Sequence, residues 1–316
     1  MSHLRAGVIG VGYLGRFHAQ KYAALPDVDL VGVVDADQAR AEEVAGEVGT
    51  KAYADYSDLF DSVDLVSIVV PTHLHFKVAK AALEAGVHIL LEKPVTQTVA
   101  EADELIRIAE DNGLVFQVGH LERFNPAVLA LGDVLKNPMF IESHRLSPFK
   151  PRGTDVNVVL DLMIHDIDII LNMVNSPVES INSVGVPVLS EEVDIANARL
   201  QFANGCVANV TASRVSREPM RRIRIFQPDA YVSIDYQSRK IGIFRKGGQG
   251  IPVPAIPNVT MDETSFSQGD SLLDEITAFV RSVKEGLPPV VSGEDGKRAL
   301  EVALWITRKL FHEVKS

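Results

Sequence analysis

The sequence predicts an α/β protein with two domains: a doubly wound parallel sheet at residues 1–122, and an α+β domain with an open, largely antiparallel sheet at residues 123–316. Its 316 residues exceed what one hydrophobic core usually holds. In the first half, apolar strand patterns alternate strictly with helical patterns, which is typical of parallel sheets. In the second half, alternating and β-branched segments follow one another with few helical patterns. The prediction leaves open that the C-terminal helix packs against the first domain.

The first strand pattern ends in the glycine-rich turn GVGYLG, and a helical pattern follows at once. Its glycines fit G-x-G-x-x-G: Gly10 permits a tight turn, Gly12 lets the backbone approach a pyrophosphate, and Gly15 lets the helix pack on the strand. The free N–H groups that begin the helix, at Tyr13 and Leu14, would face the phosphates. The turn predicts a dinucleotide site in a Rossmann domain, although an ordinary glycine-rich turn has the same pattern.

The second strand pattern, at residues 28–37, carries an acidic residue near its end, Asp35. An acid there can accept hydrogen bonds from both hydroxyls of the adenine ribose, and it would repel a 2′-phosphate. Asp35 therefore favours NAD over NADP as the cofactor. The alternative is that Asp35 caps the helical pattern at residues 39–48.

The alternation continues to the end of the first domain. Strands are predicted at residues 52–53, 65–70, 87–91 and 114–118, and helices at 56–60, 74–85 and 99–112. Ligands of doubly wound sheets bind beyond the carboxyl ends of the strands. The segments expected there are residues 10–14, Asp35, 71–75, 92–94 and 119–125.

Lys93 lies between the end of the fifth strand pattern and Pro94. A lysine on such a short, stiff turn would point into the mouth of the site, where it could hydrogen-bond a substrate hydroxyl and favour its alkoxide. The alternative is a solvated surface lysine, which is the usual fate of the residue type.

The first helical pattern of the second domain, at residues 158–173, carries Asp161 and His165 at positions i and i+4, on one helical face. Asp166 and Asp168 point in other directions. The remaining residues are apolar, so the pair must satisfy each other or a ligand. Asp161 could orient the His165 ring, which could then take a hydroxyl proton. A structural side-chain pair is the alternative.

Four segments resemble the glucose–fructose oxidoreductase/inositol dehydrogenase (Gfo/Idh/MocA) family: GVIGVGYLGRFHA at 7–19, VPTHLHF at 70–76, LLEKP at 90–94 and GHLERFNP at 119–126. The resemblance implies that Lys93 is the active-site lysine, that the Lys93–Pro94 peptide is cis, and that Asp161 and His165 belong to the active-site helix. The lead-in to that helix lacks the family's glycine pair. By the same resemblance, Thr72 and His75 line the cofactor pocket. The cofactor-binding residues are predicted to be Gly10, Gly12, Tyr13, Leu14, Gly15, Asp35, Pro71, Thr72, His75, Glu92, Lys93 and Arg123.

Four further residues are candidates for substrate contact: His120, Arg145, Lys150 and Arg152. The three cations lie shortly before the predicted active-site helix, where they would suit a diphosphate. The alternatives are a solvated loop for the cations and a strand-end histidine for His120. The segment that carries the cations also looks like relatives that oxidise the 3-hydroxyl of UDP-N-acetylglucosamine-type sugars.

The second domain continues with strand patterns at residues 178–188, 193–203, 206–214, 221–227, 230–235 and 240–244, a Gly/Pro loop at 247–257, and two closing helices. A sheet with one uncovered face needs a partner, so we expect a homo-oligomer, a dimer or tetramer, formed through this sheet.

The composition excludes several classes of protein. A net charge of −11 without a long basic run argues against a nucleic-acid partner. One cysteine, Cys206, leaves no internal disulfide and fits a reducing compartment. We find no signal peptide, no apolar run of about 18 residues that could span a membrane, and no set of metal ligands. A cytoplasmic location is the simplest expectation.

Together these features predict an NAD-dependent oxidoreductase that oxidises a secondary hydroxyl of a sugar, cyclitol or nucleotide sugar. Two other classes remain open on the same fold: an NAD-binding sensor without catalysis, and a glycosidase that uses bound NAD for transient oxidation.

Overall fold

The structure is a computed structural model. It describes residues 3–150, 156–247, 250–253, 256–267 and 269–312. The chain divides into two compact units, Met1–Leu121 with Asp270–Leu300 and Glu122–Gly269 with Glu301–Ser316. The first division lies next to the boundary expected from the sequence. The second division places residues 270–300 in the first unit and the chain from Glu301 on in the second, so it falls within the C-terminal helix that could have packed on the first domain.

The first unit contains a six-stranded sheet in which all neighbouring strands are parallel. Its strands are β1 (Leu4–Ile9), β2 (Val28–Val34), β3 (Lys51–Tyr53), β4 (Leu65–Ile68), β5 (His88–Glu92) and β6 (Phe116–Gly119). The helices between them are α1 (Tyr13–Ala24), α2 (Gln38–Val48), α3 (Ser57–Phe60), α4 (Thr72–Glu84) and α5 (Val99–Asp111). The strand order β3-β2-β1-β4-β5-β6 is that of dinucleotide-binding domains. The predicted doubly wound fold is confirmed.

The second unit contains a nine-stranded, mostly antiparallel sheet. Its strands are β7 (Phe140–Leu146), β8 (Val178–Val186), β9 (Ile195–Phe202), β10 (Val207–Ser213), β11 (Met220–Gln227), β12 (Ala230–Asp235), β13 (Lys240–Lys246), β14 (Ile251–Pro252) and β15 (Val259–Ser265). They are arranged in the order β14-β15-β13-β12-β11-β7-β10-β9-β8, with β7 and β10 as a parallel pair. The sequence did not predict β14 and β15, because one is two residues long and the other is largely polar.

The two faces of the nine-stranded sheet differ. After a short helix α6 (Pro126–Leu129), the helix α7 (Ile164–Val174) packs against β7 and β10 on one face. Apolar residues such as Ile141, Val210 and Ile223 are buried in the sheet. A row of half-buried aromatic rings crosses four neighbouring strands, with ring centroids 5.7, 4.9 and 5.3 Å apart. We call these rings the aromatic row: Phe140, Phe226, Tyr231 and Phe244.

The chain ends in two helices, α8 (Ser271–Glu285) and α9 (Gly293–His312). The apolar side chains of α8 recur at helical spacing, and Leu272, Ile276 and Phe279 join the core around α1 and the parallel sheet. This burial explains why residues 270–300 belong to the first unit. The sequence shows that α8 has an apolar face but not which sheet that face covers. Among the described residues, no helix combines the length and apolar character that a membrane span requires.

Candidate active site

The glycine-rich turn joins β1 to α1, and a glycine stands at each of its three motif positions for a different structural reason. Gly10 has a φ of 88°, in the left-handed region that favours glycine. A Cβ on Gly15 would collide with the carbonyl oxygen of Gly10, so this glycine lets α1 pack against the turn. A Cβ on Gly12 would meet no atom within 4 Å. The fold itself does not require a glycine at position 12. A ligand that approaches the backbone at this position would require one, because it leaves no space for a side chain.

The N-terminal end of α1 is suited to an anion. Gly12 occupies the N-cap position without a side-chain cap, and the first turn contains no acidic residue. No acidic side chain of this first turn therefore offsets the positive end of the helix dipole. The turn fits the pyrophosphate of a dinucleotide, since open space at Gly12 and the positive end of a helix dipole occur at one place.

Asp35 follows β2 and faces the same turn. Its Oδ2 accepts the N–H of Val11 at 2.8 Å, and its Oδ1 accepts the N–H of Asp37 at 2.9 Å. The N-cap of α2 is Asp37, whose side chain accepts the N–H of Arg40. The alternative that Asp35 caps this helix is therefore wrong. The Arg40 guanidinium lies 3.6 Å from Asp35 and 3.3 Å from Asp37.

Lys93 and Glu92 lie at the carboxyl end of β5. The Lys93–Pro94 peptide bond is cis, as the resemblance implied. The Glu92 carboxylate points to the unit's interior: Oε1 lies 3.3 Å from Nε2 of the fully buried His18, and Oε2 accepts the N–H of Lys93 at 3.3 Å. Burial opposes the charge of Glu92, but His18 and the cation of Lys93 outweigh it and lower the pKa of Glu92.

His75 joins the ends of two strands. It lies in the first turn of α4, which begins at Thr72 after Pro71. Its ring nitrogens lie 2.8 Å from the carbonyl oxygen of Pro94 and 2.9 Å from that of Val70. Burial lowers the pKa of His75, against the effect of these carbonyls. The buried ring therefore links the end of β4 to the turn that carries Lys93.

The predicted active-site helix is not a regular α-helix. Residues Val159–Met163 form a π-helical turn, and α7 starts at Ile164. Asp161 lies in the wider turn and His165 in the first turn of α7, and both side chains are half-buried. The pair therefore spans the junction between a π-helical turn and α7 rather than one regular α-helix. π-Helical turns often occur at functional sites.

The start of the π-helical turn is held by residues that the sequence analysis did not identify. The Asn157 side chain accepts the N–H groups of Val159 and Leu160, each at 3.1 Å. The Arg214 guanidinium donates to the carbonyl oxygen of Val156 at 2.7 Å and pairs with the buried Asp194 at 2.8 Å. An asparagine just before a helical pattern was the available signal for the first of these contacts.

Arg145 was predicted to contact substrate from a cationic segment, and the structure gives it another role. It lies in β7, is 4% exposed, and pairs with Asp166 of α7 and Glu122. Ser143 also donates to Asp166, at 2.8 Å. Burial opposes the charge of Arg145, but the two carboxylates raise its pKa. Arg145 therefore stays cationic, and the carboxylates balance its charge. It is not a free cation for a diphosphate.

Arg123 was predicted on the cofactor side, and it too forms an internal ion pair. Its guanidinium donates two hydrogen bonds to Asp168 of α7, at 2.8 and 2.7 Å, and both side chains are buried. Of the remaining substrate candidates, His120 is buried just after β6, Lys150 is exposed, and Arg152 lies outside the described residues. Among described residues, no cluster of three or more potential metal ligands is found.

The two halves of the chain match models of known protein families. Residues 4–120 match the oxidoreductase family with an NAD-binding Rossmann fold, and residues 131–232 match the GFO/IDH/MocA C-terminal domain. UDP-N-acetylglucosamine 3-dehydrogenase of Acidithiobacillus ferrooxidans is 43% identical over 307 residues, covering 97% of each chain. Myo-inositol 2-dehydrogenase of Thermotoga maritima is 27% identical over 332 residues, covering 99% of this chain and 98% of the relative.

Solved structures give the same result. A structure of the Acidithiobacillus ferrooxidans enzyme superposes with a TM-score of 0.95 at 42% identity, covering 100% of both chains. Scyllo-inositol dehydrogenase from Lactobacillus casei, solved with NAD(H) and scyllo-inositol, has a TM-score of 0.82 at 20% identity, covering 99% of this chain and 98% of that one, which shows the fold alone. The chain therefore belongs to the GFO/IDH/MocA oxidoreductase family, whose N-terminal domain has an NAD-binding Rossmann fold.

Proposed function

We propose that this oxidoreductase uses NAD to oxidise the 3-hydroxyl of a UDP-N-acetylglucosamine-type sugar. The observation that carries the proposal is the 43% identity to UDP-N-acetylglucosamine 3-dehydrogenase, spread over 97% of both chains. The aligned 307 residues span both the cofactor-binding unit and the unit that carries Asp161 and His165. The inositol dehydrogenases among the relatives define the competing substrate class, the cyclitols.

The preference for NAD over NADP rests on Asp35. Its carboxylate is fixed against the glycine-rich turn by the N–H groups of Val11 and Asp37. A negative charge held at the end of β2 suits the ribose hydroxyls of NAD and repels a 2′-phosphate. Arg40 is the nearby cation that could offset this repulsion, but it lies between two aspartates.

The catalytic roles are divided among three residues. The nicotinamide, when bound, supplies the hydride acceptor. Lys93 donates a hydrogen bond to the reacting hydroxyl and stabilises negative charge on its oxygen. His165 takes the hydroxyl proton as general base, and Asp161 orients its ring. Half-burial of the last two fits side chains that must meet a substrate, whereas the fully buried Asp166 and Asp168 serve the fold.

On the substrate side we retain His120, Lys150 and Arg152 as candidates and leave out Arg145. The exposed Lys150 and the neighbouring Arg152 are suited to the phosphates of a nucleotide sugar. Arg145 is already neutralised by the carboxylates of the buried Asp166 and the half-buried Glu122.

The test is an NADH absorbance assay with UDP-N-acetylglucosamine, free N-acetylglucosamine, myo-inositol and scyllo-inositol, each with NAD and with NADP. We expect NADH formation from the nucleotide sugar and little from the others. Turnover of an inositol without turnover of the nucleotide sugar would contradict the proposed substrate. NAD binding without turnover of any alcohol would favour the sensor, and release of an aglycone without net NADH would favour the glycosidase.

We further propose that the protein is a cytoplasmic homo-oligomer, a dimer or tetramer assembled through the nine-stranded sheet. The aromatic row supports an interface, because four adjacent half-buried rings on one sheet face are apolar surface that a second copy can cover. The single, buried Cys206 supports a reducing compartment.

A further inference from the structure

The helix α8 carries a carboxyl group that the proposed chemistry does not use. Glu275 is 0% exposed, and neither of its carboxyl oxygens has a hydrogen-bond partner among the described residues. Its helix neighbours Leu272, Ile276 and Phe279 belong to the apolar core of the first unit. Because an unpaired carboxylate in such surroundings is very costly, Glu275 is held as a neutral acid.

A second carboxyl group shares this environment. α8 packs against β5, whose last residue is Glu92. Burial raises the pKa of Glu275 well above its usual range, and the negative charge of Glu92 raises it further. Glu92 has compensating neighbours, His18 and Lys93, and Glu275 has none that the structure describes. The two carboxyl groups therefore divide their roles: Glu92 is ionised and Glu275 keeps its proton.

We propose that Glu275 is a positioning residue for the turn that carries Lys93: as a neutral carboxylic acid it leaves Glu92 as the one charged member of this pair of carboxyl groups, held against His18 and the N–H of Lys93. A second charge at Glu275 would repel the Glu92 carboxylate from these contacts. Lys93 would then lose the anion that holds its backbone and balances its charge. The inference rests on the proposed role of Lys93, and its tests need no sugar substrate.

The groups that face this pair come from several elements. α1 supplies His18 and Tyr22, and the Tyr22 hydroxyl lies 2.9 Å from Ser67 of β4. Lys93 follows Glu92, and α4 supplies His75, whose charge would favour an ionised Glu92. β6 supplies Gln117, which donates to the backbone carbonyl of Glu275 at 3.1 Å. No cation among these contacts the Glu275 carboxyl, so its neutral form is the one that the surroundings favour.

The first test is the pH dependence of unfolding in urea. A folded-state pKa above the unfolded value means that unfolding releases a proton, so the free energy of unfolding falls as pH rises towards the folded pKa. Glu275→Gln and Glu275→Leu remove this proton. We expect the ratio of unfolding constants, wild type over variant, to rise with pH above the ordinary pKa of a glutamate, by up to about ten-fold per pH unit, until the pH reaches the raised folded-state pKa of Glu275.

A matched control is Glu285→Gln, on the exposed end of the same helix, where the carboxylate pairs with Arg281. Its ratio should stay nearly constant with pH, because an exposed pair contributes little. A flat ratio for both Glu275 variants as well would show that Glu275 is ionised in the folded protein, and would overturn the proposal. The use of two variants with different side chains keeps the test valid if one of them folds poorly.

The second test separates positioning from a purely structural role. NADH dissociation constants are measured by fluorescence across the same pH range for wild type, Glu275→Gln, Glu92→Gln and the double variant. Below the pH at which Glu275 ionises, Glu275→Gln should bind NADH as the wild type does, because glutamine is also uncharged. Once Glu275 is ionised, the wild type should bind NADH about ten-fold more weakly than Glu275→Gln, and this difference should be absent when Glu92 is already neutral. Equal NADH affinities of wild type and Glu275→Gln at every pH, or the same difference in both backgrounds, would overturn the proposal. Failure of UDP-N-acetylglucosamine to react would contradict only the proposed function.

Discussion

Gly12 provides a test that separates the needs of the fold from those of the cofactor. Its backbone, with φ −64° and ψ −159°, is accessible to any L-amino acid, and a Cβ there would meet no protein atom within 4 Å. Gly15, three residues later, differs because its Cβ would collide with the carbonyl oxygen of Gly10. The matched substitutions are therefore Gly12→Ala and Gly15→Ala.

The structure gives different magnitudes for the two variants. Gly12→Ala should leave stability unchanged or raise it by about 0.4–1 kcal/mol, because alanine restricts the unfolded chain. Its methyl group would occupy the place where a pyrophosphate approaches the start of α1. Loss of one hydrogen bond to a charged phosphate costs about 1.5–3 kcal/mol, which corresponds to a roughly ten- to hundred-fold weaker NADH affinity. Gly15→Ala should destabilise the protein by about 1–3 kcal/mol or more through overpacking.

NADH fluorescence titration and urea unfolding measure the two quantities on the same samples. The expected pattern is normal stability with weak NADH binding for Gly12→Ala, and reduced stability for Gly15→Ala. Wild-type NADH affinity in a folded Gly12→Ala variant would refute the reasoning, because it would mean that no phosphate group approaches this residue.

Three further predictions concern charge and assembly. Replacement of Asp35 by serine should shift the ratio of kcat/KM values from NAD towards NADP by about ten-fold, and an unchanged ratio would remove Asp35 from cofactor selection. Asp168→Ala leaves the buried Arg123 without its bidentate partner and should lower the free energy of unfolding by about 3–5 kcal/mol, whereas a urea midpoint like that of wild type would show that the pair is dispensable. Tyr231→Asp, in the aromatic row, should reduce the oligomer mass in light scattering while circular dichroism stays unchanged, and an unaltered mass would place the interface elsewhere.

The first sheet could be predicted because each of its strands shows its own local pattern. Apolar runs such as Leu65–Ile68, which is buried throughout, are predicted as parallel strands without knowledge of their neighbours. Placement of α8 could not be predicted in this way, because its apolar face fits any apolar surface. The sequence did not predict β15, because a largely polar, half-exposed strand such as Val259–Ser265 has no strong periodic pattern of apolar residues.

In the candidate site, prediction succeeded for motifs that depend on the backbone. The glycine turn and Asp35 beside it follow from short segments in which the residue types limit the geometry. The cis bond after Lys93 was implied by the family resemblance rather than by the residue types. The sequence did not show the ion pairs of Arg123, which was expected on the cofactor side, or of Arg145, which was expected in a cationic segment. Their partners lie 45 and 21 positions away on α7, so burial in ion pairs depends on tertiary contacts that no local pattern records.

The polar residues of α7 and of the π-helical turn before it differ in how deeply they are buried. The sequence shows that several polar side chains on a largely apolar helix need partners, but not which of them are available for chemistry. In the structure, Asp166 and Asp168 are buried and form ion pairs with arginines, whereas Asp161 and His165 are half-buried. A carboxylate paired inside the core cannot meet a substrate without breaking an ion pair that is costly to disrupt. The division by burial therefore favours Asp161 and His165 as the reactive pair, independently of the spacing that first suggested them.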